Sequence, residues 1–212
     1  MPKISPKRIG RPPSSNAAAT RMRIISVAAE LFALKGYGIV TNKDVARAAG
    51  ISTGALYYYF SSKLEMYVEV FWSLQARVDE RIDSAMTGVD TLDGRLRAIL
   101  EVAHSLNAED PSIARFQGTA RVDRIRHPEL LEAIPNPPGE GARVMERLIA
   151  DGVKTGEVTL ERRQQVRAVV RTIFVGLIDS QSDDLERHRQ AIDGLIALLD
   201  HKLLVPARKA RA

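Results

Sequence analysis

Residues 41–63 read TNKDVARAAGISTGALYYYFSSK, and the reading of this stretch decides the fold. Thr41 with Asp44 three residues on is a capping-box pattern, so a short helix is expected from Asn42 to Ala49. Its small apolar face is Val45, Ala46 and Ala49. Gly50 punctuates, Ile51 plugs inward, and Ser52 caps another helix from Thr53 to about Phe60. Ser62-x-x-Glu65 is a second capping box and opens a longer helix reaching about Ser84. The stretch is therefore two short helices about a glycine turn, the second ending in aromatics.

Upstream, Met22, Ile25, Ala29 and Phe32 recur at helical spacing, which predicts a bracing helix from about Asn16 to Leu34, stopped by Gly36. Residues 1–15 hold four basic residues, four prolines and no acid, a composition expected to form a disordered basic arm. Arg11, in Ile-Gly-Arg-Pro-Pro, suits either a contact in a narrow minor groove or a plain solvated tail. Downstream the periodicity stays helical and no alternating run predicts a strand. Asp90 can cap a helix to about Asn107, Asp110-Pro111 starts another, and His127-Pro128 interrupts it. Residues 134–139 read as a loop, followed by helices at about 140–156, 161–181 and 184–204. The expected class is all-α.

The 212 residues are 45% hydrophobic and 27% charged, enough to bury a sizeable core. No apolar run is long enough for a bilayer and no apolar segment follows the basic N-terminus, so neither a membrane span nor a secretory signal is expected, and cytoplasmic residence is. With no cysteine there is no disulfide framework, thiolate nucleophile or Cys-based metal site. Residues 1–63 carry ten Lys/Arg against Glu30 and Asp44, a balance of +8. Residues 64–212 hold 21 basic and 24 acidic residues, a balance of −3. Positive charge gathered at one end is the footprint of a polyanion-binding module on a nearly neutral body. There is no phosphate-cradling glycine loop, His-Glu-x-x-His or nucleophile elbow, and the four histidines lack metal-ligand spacing. No enzyme, catalytic residue, metal or cofactor is expected.

On a helical wheel, Leu56 and Phe60 fall together and face the brace, leaving Gly54, Ala55 and Tyr58 opposite, with Tyr57 and Tyr59 on the flanks. A bare face lets a helix backbone approach closely, and the major groove is wide enough to accept it. The flanking tyrosine hydroxyls, with Thr41, Thr53 and Lys63, suit phosphates on either side. The groove-facing set has no Arg, Asn or Gln, so readout is expected to depend on thymine methyls meeting Ala55 and Tyr58, with shape and Lys43 adding more.

Gly36-Tyr37, Thr41, Val45-Ala46, Ala49-Gly50-Ile51-Ser52, Gly54, Leu56-Tyr57, Tyr59-Phe60 and Ser62-Lys63 together resemble the N-terminal signature of the TetR family of bacterial transcriptional regulators. The likeness covers about residues 20–66, with Met66 where a leucine is common. It implies a helix-turn-helix DNA-binding domain over 16–63 and a helical ligand-binding and dimerisation domain over 64–212. Thr53, Gly54, Ala55 and Tyr58 would face bases; Thr41, Tyr57, Tyr59 and Lys63 would contact phosphates; Lys43 could do either. The last two long helices would pair two copies on a palindromic operator in double-stranded DNA. A small-molecule effector would end DNA binding from a pocket for which Trp72, Phe116 and Phe174 are apolar candidates, and His104, Gln117 and Arg121 polar ones. Leu130, Ile134 and Met145 are weaker candidates. A repressor is the family's usual mode. The alternative is a non-specific architectural DNA-binding protein, which suits the arm but leaves the body without a task.

Overall fold

The computed structural model describes residues 13–134, 142–180 and 184–203, and every regular element among them is helical. In chain order these are α1 (Pro13–Lys35), α2 (Asn42–Ala48), α3 (Thr53–Tyr59), α4 (Lys63–Met86), α5 (Leu92–Glu109), α6 (Pro111–Arg126), α7 (Pro128–Ala133), α8 (Ala142–Thr155), a 3₁₀ turn (Leu160–Arg162), α9 (Arg163–Ser180) and α10 (Leu185–Leu199). Arg11 and the rest of 1–12 lie outside the described residues. The helix starts at Pro13, three residues before the expected Asn16, because proline's fixed φ suits a first helical turn.

Local signals set most boundaries. Thr41 and Asp44 form the reciprocal box: the Asp44 N–H donates to Thr41 Oγ1 at 3.2 Å, and the Asp44 carboxylate accepts from Thr41 N at 3.1 Å and Oγ1 at 2.6 Å. Those bonds from Thr41 hold the Asp44 carboxyl below the usual range. The expected second box is only half formed. Ser62 Oγ accepts from Glu65 N at 3.0 Å, but Glu65 reaches past it to Ser61, at 2.8 Å to N and 2.5 Å to Oγ. Asp110 caps α6 with Pro111 behind it, as expected, whereas Thr91 rather than Asp90 caps α5. The last helix ends at Leu199, short of the expected 204, where His201 takes a left-handed φ of 57°.

The main core is continuous from end to end. It joins Ile24, Ala28 and Phe32 of α1, Val45 and Leu56 of the short helices, Tyr67 of α4, Phe116 of α6 and Leu148 of α8. Of the set expected to point inward, Val45, Leu56 and Phe60 are buried and Ile51 is half-buried against them. A separate small cluster, Leu100, Leu177 and Ile192, lies where α5, α9 and α10 meet. There α10 is strapped to α5 by ion pairs of Arg97 with Asp200 (2.6 Å) and Arg189 with Glu101 (2.7 Å).

The turn leaving α1 is pinned to α6 by one carboxylate. Asp123, buried, accepts from the Tyr37 backbone N–H at 2.8 Å and the Tyr67 hydroxyl at 3.3 Å. Burial and the Asp123 charge push the Tyr67 phenol far up. Gly36 makes room: its φ is +78°, and a Cβ there would meet Asp123 Oδ1 at 3.1 Å. One turn below, Thr119 Oγ1 donates to the Ala33 carbonyl at 3.1 Å, and His127 packs edge-on against Tyr37 with ring centroids 5.1 Å apart.

Asp123→Ala leaves a buried N–H unpaired and is expected to cost about 1–3 kcal/mol, while Asp123→Asn keeps an acceptor and most of the stability. Thermal unfolding followed by circular dichroism separates them, at about 2–4 °C per kcal/mol for a chain this size. Equal midpoints for the alanine and asparagine variants would refute the assignment.

Candidate nucleic-acid interface and internal cavity

The short helices α2 and α3 present one face of the head to solvent. Leu56 and Phe60 anchor α3 in the core, which turns Tyr58 outward, 82% exposed, with Gly54 exposed beside it. Thr53, Ala55 and Tyr59 are half-buried and Lys43 is exposed. The Tyr58 and Tyr59 rings meet edge-on at 5.3 Å. Gly50, at φ +66°, makes the turn between the helices, and the Ile51 N–H closes it on the Ala46 carbonyl at 3.0 Å.

Three of the polar side chains expected to meet phosphate already have partners. Asn42 Nδ2 donates to the Tyr57 hydroxyl at 3.1 Å, which leaves the phenolic proton available to an outside acceptor. Thr41 spends its hydroxyl and N–H on Asp44, so it serves here as a cap. Lys63 Nζ donates to the Tyr37 carbonyl at 2.7 Å and sits 4.2 Å from the centroid of the Tyr37 ring. Burial lowers its pKa, partly offset by Glu129 and Asp123. Asn42 and the Lys63–Tyr37 contact went unnoticed in the sequence, because both join residues far apart along the chain.

The body encloses a cavity of about 140 Å³ with walls from α4, α5, α6, α8, α9 and α10. Gln117, Arg121 and Phe174 line it, as the sequence suggested. Trp72, Phe116 and His104 do not. Trp72 lies on the outer side of α4, edge-on to Phe71 at 5.3 Å. Phe116 is consumed by the core, against Tyr67 and Phe71. His104 stands behind His188, Nδ1 to Nδ1 at 3.2 Å with stacked rings, and His188 is the one that reaches the cavity. Burial, then His104 and Arg189, lower the His188 pKa and favour its neutral form. Leu130, Ile134 and Met145 are core residues too.

Gln75, Asn107 and Arg124 also line the cavity and were missed. Their signal was present: each is a polar residue on the apolar stripe of its helix, as Gln75 is beside Phe71, Val78 and Ile82.

On the outside of α9 and α10, Thr172, Ile173, Gly176, Gly194, Leu195 and Leu198 border a shallow apolar groove. Val169 and Leu198 are exposed there, whereas Val170 and Ile192 point into the protein. The two stripes thus serve both the interior and an open face. No helix among the described residues is long and apolar enough to cross a membrane.

The family profile for bacterial regulatory proteins of the tetR family matches residues 24–70. The chain is 31% identical to the HTH-type transcriptional regulator TtgW of Pseudomonas putida over 111 residues, covering 52% of this chain and 83% of that protein. It is 21% identical over 187 residues to the HTH-type transcriptional regulator UidR of Escherichia coli, covering 87% and 93%. Among solved structures it is similar in fold to FadR of Bacillus subtilis in complex with stearoyl-CoA, with a TM-score of 0.64 at 19% identity, covering 83% of this chain and 97% of that one.

Lys63→Met is expected to lower the unfolding midpoint, since it strips the Tyr37 carbonyl of its donor and the ring of its cation. Tyr58→Ala should leave the midpoint within about 0.5 kcal/mol of the parent, as an exposed position. The opposite order in thermal melts would overturn this division of the surface.

Proposed function

We propose that this chain, which belongs to the tetR family of bacterial regulatory proteins and is a DNA-binding transcriptional regulator rather than an enzyme, acts as a homodimeric repressor that a small-molecule effector releases from a palindromic operator. The observation that carries this reading is the single core joining an outward-facing, nearly bare α3 to a body that contains a cavity. A merely architectural DNA binder has no use for such a link.

In this reading α3 lies in the major groove with Thr53, Gly54, Ala55 and Tyr58 towards the bases. Tyr57 and Tyr59 grip phosphates. Lys63 adds its two remaining N–H donors, and Thr41 takes part through the capped start of α2, where the helix dipole favours an anion. Lys43 reaches either phosphate or base edge, and Arg11 lies in the minor groove. The division into arm (1–15), reading head (16–63) and body (64–212) is one of task, because packing runs unbroken from head to body. Two copies pair through the groove on α9 and α10, which sets the spacing of the two heads.

The cavity, lined largely by apolar groups with a few polar ones, suits a small effector. The FadR complex with stearoyl-CoA supports an effector of that general kind. Release follows by population shift: the effector must favour a dimer whose heads are wrongly spaced, and equal affinity for both states would change nothing. The helices α4 and α6 each touch both the cavity and the head, so they carry the change.

Selection of binding sites from random DNA is expected to return a palindrome whose contacted positions are rich in A·T pairs; a G·C-rich core, or no palindrome, would count against it. On that site, about eight phosphate contacts per dimer predict a log–log salt slope near −7. A slope shallower than about −3 would remove the contact set named here.

A further inference from the structure

We infer that Asn107 is the polar anchor of the cavity, and that the effector is an elongated apolar molecule carrying an uncharged hydrogen-bonding group, such as a carboxamide, at its buried end. This rests on the cavity being the effector site.

Asn107 lies on α5, 3% exposed, in the cavity wall, and neither its Nδ2 nor its Oδ1 has a hydrogen-bond partner. Buried carboxamides in folded proteins are almost always paired, because leaving both a donor and an acceptor dry costs stability. The neighbouring buried carboxamide shows the contrast. Gln75 donates its Nε2 to Asp79 Oδ1 at 2.7 Å and is thereby fixed. Asn107 instead stands among Val102, Ala103, Leu106 and Ile113, which offer it nothing.

An unpaired amide presents one donor and one acceptor, so its best complement is a group offering both. A bare hydrocarbon would leave both atoms unsatisfied. A carboxylate would meet the N–H but face the carbonyl oxygen, with no Lys or Arg of α4 or α5 in the described wall to offset its lost hydration. The arginines of that wall, Arg121 and Arg124, are on α6, eight residues or more beyond Ile113, or about 12 Å along the helix axis. On α4 the wall runs from Phe71 to Ile82, about 16 Å of helix. A volume of about 140 Å³ drawn out along such walls is narrow, and fits a chain better than a compact ring system.

The test uses the full-length chain with octanamide and octanoate as probes, measured by calorimetric titration on the parent and on Asn107→Leu. The parent should bind octanamide more tightly than octanoate. Asn107→Leu should weaken octanamide about tenfold or more and, with the unpaired amide gone, should raise the unfolding midpoint of the empty protein. Asn107→Ala should show the same loss of octanamide affinity if the leucine variant folds poorly. Parent protein that binds neither probe, or prefers octanoate, overturns the proposal. So does unchanged octanamide affinity in both variants, or a lowered midpoint in a folded Asn107→Leu. Operator affinity is measured separately: octanamide held through Asn107 without loosening DNA upholds the anchor and defeats the effector reading.

Discussion

The hydrogen bond from the Tyr37 backbone N–H to Asp123 is the constraint on which the relation between head and body depends. It crosses 86 positions of sequence and is buried, so water cannot substitute for either partner. On one side, Tyr37 is the seat of Lys63 and ends the turn that leads into α2. On the other, Asp123 lies between Arg121 and Arg124, both of which line the cavity. Three residues of α6 thus touch the cavity and the turn together, and a rotation of that helix cannot alter one without straining the other. The φ of Gly36, and the narrow space above it, make this arrangement unavailable to any larger residue.

The head itself has little to hold it together without the body. Both α2 and α3 are seven residues long, well below the length at which an isolated helix is stable in water. Each survives by its cap and by one or two side chains delivered to the core, Val45 and Ala46 from α2, Leu56 and the capping Phe60 from α3. That economy is what leaves α3 with a bare outer face. The apolar anchors sit on one side, and nothing on the other is required for folding.

Much of this was legible in the sequence. The Thr41–Asp44 box, the Gly50 turn and the Asp110-Pro111 start are local signals, and local signals survive folding because their partners are only a few residues away. The inward set in the head was readable for the same reason. What was not legible depends on which helices become neighbours. Trp72 and Phe116 both had the chemistry of a cavity wall, yet Trp72 faces outward and Phe116 fills the core. His104 was placed on the correct helix, but the partner that displaces it from the cavity comes from α10, 84 positions later. Glu65 shows that even a near-perfect box can be lost to a competing serine one residue away. The residues most worth noticing were the polar ones on apolar stripes, Gln75, Asn107 and Asp123, since a helix buries such a group only where something else needs it.

One residue has two neighbourhoods. Leu177 belongs to the cavity wall and also borders the groove on the outside of α9 and α10. In a pair built on that groove, a single side chain separates each subunit's guest from the neighbouring subunit. The two cavities are then not independent receptors. The first occupant presses on the seam and changes what the second must do to enter, so the dose response departs from a simple hyperbola. The steepness of the genetic switch would be set by the packing of one leucine, apart from any contact with DNA.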